Sequence, residues 1–125
     1  MSLLNNKKKV IGNLGEKLAV NFLKKHKHKI LSKNFYSRFG EVDIISLDKK
    51  TKELVFVEVK TRTSVNYSWP ENAVNQNKKL KLAKTAKKYL QEHKIDIKTN
   101  YRFDIISIEL NYGSRRAKIT HFKYI

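Results

Sequence analysis

The sequence contains no cysteine, so it can build neither a disulfide framework nor a cysteine-ligated zinc site. It has a single proline and four glycines, and no Gly-rich phosphate loop. No apolar run approaches membrane-spanning length, the first residues lack the apolar core of a secretory signal, and no lipidation motif is present. A cytoplasmic protein without a membrane partner is therefore expected. Acid is scarce too: 11 Asp and Glu stand against 28 Lys and Arg, a formal charge of +17. An excess that large points to a polyanionic partner, nucleic acid first. An anionic membrane surface would call for a long basic amphipathic helix with bulky aromatics opposite, and none is visible.

What is present fits one modest core, since 125 residues with 40% hydrophobic content suffice for a single domain. Residues 1–11 are polar and basic and are expected to form a flexible arm, with residues 12–125 as the folded domain. The chain centres on Gly40-Glu41-Val42-Asp43-Ile44-Ile45 and, beyond a polar turn, Val55-Phe56-Val57-Glu58-Val59-Lys60. Both runs read as strands. Alternation puts Glu58 and Lys60 on one face and Glu41 and Asp43 on one face. The short link at 48–53 suits a hairpin-like connection, which would bring Asp43 beside Glu58 in antiparallel strands.

Charges at inner strand positions are costly unless they pair or bind a metal. A divalent metal supplies a reason for this patch: Mg²⁺ (or Mn²⁺) takes oxygen ligands from one or two carboxylates, leaving water and phosphate to complete its shell. An adjacent lysine can stabilise charge on a phosphoryl group. These are the parts of a phosphodiester hydrolase.

Upstream, a helix is expected over 13–27, with Leu14, Leu18, Ala19, Phe22 and Leu23 on one arc and Glu16 at its rim. His26 and His28, set among lysines, read as a solvated helix end rather than a metal site. A first strand is expected at 30–36. Downstream, Ser68-Trp69-Pro70-Glu71 has capping-box spacing and opens a helix expected over 69–93. Leu82, Ala83, Ala86, Tyr89 and Leu90 form its apolar face, while Lys81, Lys84 and Lys88 are placed opposite, where they either touch phosphates or are simply solvated. A strand at 100–110, parallel to 55–60, and a final edge strand at 117–124 complete the chain. Asp104 is expected to pair with Arg102, two residues away on the same face.

Through Asp43 and Glu58-Val59-Lys60 the chain resembles the PD-(D/E)xK nuclease superfamily. It resembles the YraN family of uncharacterised bacterial proteins more closely, through Gly15-Glu16-Lys17-Leu18-Ala19, Arg38-Phe39-Gly40-Glu41-Val42-Asp43, Val57-Glu58-Val59-Lys60-Thr61-Arg62 and Arg102-Phe103-Asp104. Val42 stands where the superfamily pattern has proline. The resemblance implies an α/β fold with a restriction-endonuclease-like αβββαβ core, a mixed sheet flanked by helices. It also implies similarity to Holliday-junction resolvases, hence a possible homodimer, since symmetric cuts need two sites.

The resulting expectation is a Mg-dependent endonuclease for DNA, with branched DNA as one candidate substrate. Asp43 and Glu58 would bind metal, joined by the Val59 carbonyl, and Lys60 would orient water and stabilise the transition state. Glu16 and Glu41 would act through metal-bound waters or a second ion, and Arg38 and Arg62 would hold phosphates. The alternative is a non-catalytic DNA- or RNA-binding module on the same fold. Tyr36, Phe39, Tyr67 and Trp69 could stack on exposed bases or pack within loops.

Overall fold

The computed structural model describes residues 3–63, 76–111 and 113–125. Its elements run α1 (Leu3–Lys25), β1 (His28–Ser37), β2 (Gly40–Asp48), β3 (Leu54–Thr63), α2 (Gln76–Glu92), β4 (Tyr101–Asn111) and β5 (Arg116–Phe122). This is the restriction-endonuclease-like αβββαβ order with one added strand. The strands form a single sheet in the order β1-β2-β3-β4-β5. Every neighbouring pair is antiparallel except β3 and β4, which run parallel with α2 between them in sequence.

The two faces of the sheet carry separate cores. On one, Ala19 and Leu23 of α1 pack on Ile44, Val55, Val57, Ile106 and Ile108. On the other, Ala86, Tyr89 and Leu90 of α2 pack on Val42, Ile45, Leu54 and Phe56. Alternation along β3 deals Val55 and Val57 to α1 and Leu54 and Phe56 to α2. Phe56 is fully buried, a placement worth roughly 2–3 kcal/mol against exposure.

Several boundaries differ from the sequence reading. Helix α1 begins at Leu3 rather than at residue 13, so residues 3–11, expected as a flexible arm, extend the helix N-terminally. No acidic residue stands in its first turn. Leu14 is 44% exposed instead of buried, because Ala19 and Leu23 set the contact line and Leu14 lies off it. His28 is buried and opens β1, bonding Ser46 Oγ at 2.9 Å; only His26 is a solvated helix end. The expected capping box at 68–71 and the first turns of the helix placed at 69 lie outside the described residues.

Gly15 fixes how closely α1 approaches the sheet. It is buried, and a Cβ there would overlap the Thr61 side chain of β3. Only glycine lets the helix backbone come so near the strand, and this contact brings the next residue, Glu16, to the end of β3.

Candidate functional site

The first half of β3 is buried on both faces, whereas every residue from Glu58 to Thr63 is half-buried. The change coincides with a fork. β2 and β3 pair from Leu47↔Leu54 up to Ile44↔Val57 and no further, while β4 accompanies β3 to Thr63↔Leu110. Past Val57, then, β3 has a neighbour on one side only, and its backbone groups toward β2 need other partners.

Asp43 supplies one. Its Oδ2 accepts the Val59 N–H at 2.8 Å. The carboxylate reaches it because β2 is irregular here: Val42 packs on the α2 side and Ile44 on the α1 side, so alternation reverses across Asp43. The matching irregularity on β1 is Asn34, which has φ 54° between the pairs Lys33↔Ile44 and Phe35↔Val42. Asparagine is among the few residues that tolerate this left-handed backbone. With its amide nitrogen turned toward the acids, Asn34 donates to Glu16 Oε1 at 3.1 Å and Glu41 Oε1 at 3.2 Å.

The four acids therefore gather at the fork. Burial above all, with the negative charges of Glu16, Glu58 and Glu41, pushes the Asp43 carboxyl up to about 6, against the Val59 N–H that favours its charged form. Glu41 also raises the Tyr36 hydroxyl through its charge and a hydrogen bond. Asp43, Glu16, Val59, Lys60 and Arg62 line one cleft of about 440 Å³, together with Lys8 of α1.

Glu58 and Lys60 share a face, as alternation required, and their charged ends meet at 3.1 Å. A second lysine, Lys78 of α2, reaches the same Glu58 Oε1 at 2.6 Å. Glu58 Oε2 is buried with no hydrogen-bond partner among the described residues.

On the α2 side, Lys81, Lys84 and Lys88 do not project directly away from the sheet, the position given them by the periodicity. They flank the buried stripe and line two adjoining grooves against the β1–β2 turn, in which Arg38, Phe39 and Gly40 also stand. The Arg38 guanidinium lies 4.8 Å and the Lys84 ammonium 5.4 Å from the Phe39 ring centre, within cation–π reach. Phe39 thus carries cations, and Tyr36 is 69% exposed; Tyr67 and Trp69 fall outside the described residues.

Sequence reasoning missed two members of the site. Lys78 was hidden in a lysine run, yet it stands four residues before Leu82 and seven before Thr85, on the buried stripe of α2. Asn34 was hidden in a strand, where an asparagine between Lys33 and Phe35 is itself a sign of left-handed backbone.

As to metal, the donor set is all oxygen, which suits a hard divalent ion. Glu58 Oε2, buried and without a partner among the described residues, is an acceptor that a cation would satisfy. Among the described residues no three acids or histidines close on one point as a preformed cage; Mg²⁺ is commonly held by only one or two carboxylates, with water and phosphate completing its shell. The residues fit such an ion.

Asp104 belongs elsewhere. Its Oδ1 and Oδ2 accept the Arg102 Nε–H at 3.0 and 3.1 Å, as expected, with Arg102 beside Val55 and Asp104 beside Val57 on the stretch of β3 that is still paired with β2. Arg102 also bonds Asp48 at 3.1 Å and Glu53 at 2.8 Å, and His121 bonds Asp104 at 2.7 Å. This buried network is structural.

Among the described residues no helix is long and apolar enough to cross a membrane. A family model described as "Uncharacterised protein family UPF0102" matches residues 15–108, which include the fork and its four acids. A UPF0102 protein of Caldicellulosiruptor bescii is 43% identical over 115 residues, 92% of this chain and 95% of the relative. One from Clostridium acetobutylicum is 46% identical over 112 residues, covering 90% and 87%. A third, from Caldanaerobacter subterraneus subsp. tengcongensis, is 46% identical over 104 residues, or 83% of each chain.

Proposed function

The chain belongs to the uncharacterised protein family UPF0102, the YraN family, and from its site we propose that it is a divalent-metal-dependent endonuclease whose substrate is DNA rather than RNA. The observation that carries this reading is the forked end of β3. There an acid cluster sits in a chain of net charge +17, with Asp43 joined to Val59 at 2.8 Å and Glu58 joined to Lys60 at 3.1 Å. A basic protein that gathers its few acids at one half-buried point is equipped to hold a cation against a polyanion.

Asp43, Glu58 and the Val59 carbonyl are the groups that would hold Mg²⁺ or Mn²⁺. When bound, such an ion polarises a phosphoryl oxygen and acidifies water. The Asp43–Val59 bond keeps one carboxylate oxygen fixed at the fork. Lys60, on the same face as Glu58, would place an ammonium near the phosphoryl oxygens on which negative charge develops. Asn34 holds Glu16 and Glu41 in place at the rim, where they can orient water. Arg62, in the cleft with Lys60, and Arg38, Lys81, Lys84 and Lys88 on the α2 side supply contacts to phosphates along the strand.

The test is cleavage and binding of labelled DNA by Glu58→Ala. Loss of cleavage with binding kept, or tightened because a repulsive charge is gone, supports the assignment. A variant that cuts like wild type ends it. The second reading, a non-catalytic nucleic-acid-binding module, draws on the two ammonium groups already seated on Glu58 Oε1, which can be read as a plain ion pair. That reading requires binding that is steep in salt and indifferent to Asp43.

A further inference from the structure

The turn between β1 and β2 holds an aromatic ring that contacts to phosphate alone leave unexplained. Phe35, four residues earlier, packs into the α2 core, whereas Phe39 is half-buried at the turn and lines both grooves along α2. The groove that reaches Lys88 and Gln91 measures about 570 Å³ and the one that reaches Glu41 about 500 Å³. Phe39 stands where they meet. Its turn is tied down from beneath: Ser37 Oγ accepts the Phe39 N–H at 3.1 Å and meets the Thr85 hydroxyl at 3.1 Å. Thr85, buried in α2, donates in turn to the Lys81 carbonyl at 2.9 Å. A ring fixed in this way loses little further freedom when a ligand arrives.

Arg38 and Lys84 stand over the ring at 4.8 and 5.4 Å, and both side chains are exposed, with room to turn toward an anion. A nucleotide presents an anion and an aromatic face together, and cations set beside a ring match that pair. In a duplex the faces of the bases are covered by their neighbours, so a ring in a groove wall finds nothing to stack on; an unpaired strand offers its faces. Lys81, Lys84 and Lys88 follow one another at three and four residues, about one helical turn, and so track a strand laid lengthwise. Glu41 closes the second groove at the acid fork.

On the premise that the chain acts on DNA, we propose that the α2 grooves take an unpaired strand, one base stacked on Phe39 and its backbone on Lys84 and Lys88, and lead it toward the fork. The substrate class is then duplex DNA with a single-stranded tail or flap rather than blunt duplex.

The experiment measures binding by fluorescence anisotropy in EDTA, so that nothing is cut. The probes are a labelled blunt duplex, the same duplex with a short thymidine tail, and the same duplex with a tail of abasic sites; the proteins are wild type, Phe39→Leu, Phe39→Trp and Lys88→Gln. Wild type should bind the thymidine tail at least about fivefold more tightly than the abasic one, the lower end of what stacking one base contributes. Phe39→Leu should bring that ratio near one, and Phe39→Trp should keep or raise it. Lys88→Gln should weaken both tails alike, with the ratio kept and the salt slope reduced by about one. A wild-type ratio near one, or a ratio that Phe39→Leu leaves intact, overturns the role given to Phe39. The DNA reading stands in either case if wild type binds the blunt duplex with steep salt dependence. If wild type binds none of the three probes, both fall together.

Discussion

The Asp43 carboxylate and the Val59 backbone N–H are bonded at 2.8 Å across the fork where β2 and β3 part. A side chain does here what the β2 backbone does two residues earlier, at Ile44↔Val57. The bond closes the end of the ladder and fixes an acid at the point where the sheet opens to solvent. The acid remains strained electrostatically, since burial lifts it to about 6 from its ordinary 3.8.

That elevation has a cost with a definite sign. Between about pH 4 and 6 the folded protein holds the Asp43 proton more tightly than the unfolded chain, so stability falls as pH rises through this window. At pH 7 the full penalty is present, about 3 kcal/mol. Asp43→Asn retains an oxygen acceptor for Val59 and removes the charge. It should raise unfolding stability by about that amount at pH 7 and by little at pH 4, measured by urea denaturation at both values. Equal effects at the two pH values would contradict the burial argument.

The same proton competes with metal. A cation at Asp43 must displace it, so Mn²⁺ affinity should climb as pH rises from 5 to 7 and level off above. Asp43→Asn should lose both the affinity and the slope. Calorimetric titration in buffers of different ionisation enthalpy would count the proton released near pH 6, and a flat profile would exclude Asp43 from the ligand set.

Gly15 sets the spacing of α1 from β3. Gly15→Ala places a methyl group into the Thr61 side chain and should destabilise by about 1–3 kcal/mol, with Glu16 shifted from the rim. Thr61→Ala in the same chain should recover part of the loss. Thermal denaturation of the two single variants and the double variant measures the coupling.

The Arg102 network, on the stretch of β3 and β4 that precedes the fork, is a second stability element. Burial pushes Asp48 up, but the Lys50 N–H and the Arg102 guanidinium outweigh it and bring it to about 2. Burial likewise opposes the charge on Asp104, which His121 and Arg102 together hold below its ordinary value. Carboxylates lowered in this way contribute stability that is complete above their ordinary range near 4 and is lost as pH falls toward 2. Burial keeps His28 neutral, with a lowered pKa, so its contribution is complete above about 6.5 and declines below. Arg102→Leu strips Asp48, Glu53 and Asp104 of a shared counter-ion, should cost about 3–5 kcal/mol, and should move acid unfolding to higher pH. Circular dichroism across pH 2–7 follows both effects.

The sheet was legible in the sequence because period-two alternation is strict where both faces are buried, as at Val55, Phe56 and Val57. The pairing of Glu58 with Lys60, the antiparallel hairpin beneath them, the parallel β4 and the Arg102–Asp104 pair follow from that rule and short-range spacing. The reversal at Asp43 did not, since it depends on an irregular neighbour, Asn34, on another strand. Nor did the early start of α1, where Leu3 to Val10 offer no acidic first turn. Lys78 escaped because burial of a lysine is decided by a partner distant in sequence, here Glu58, rather than by its own surroundings. For His28, a polar and basic neighbourhood concealed the inward position that strand pairing with Asp48 gives it.

The central claim, that the acids at the fork direct metal-dependent cutting of DNA, is tested most directly by adding Mg²⁺ or Mn²⁺ to wild type and Asp43→Ala in the presence of labelled duplex, single-stranded and four-way-junction DNA, with cleavage and binding scored together. The account predicts cutting that requires both the metal and Asp43, with DNA still bound by the variant. Binding without cutting on every substrate, at any concentration of either metal, would contradict it and leave the fork as an ion-paired relic in a nucleic-acid-binding module.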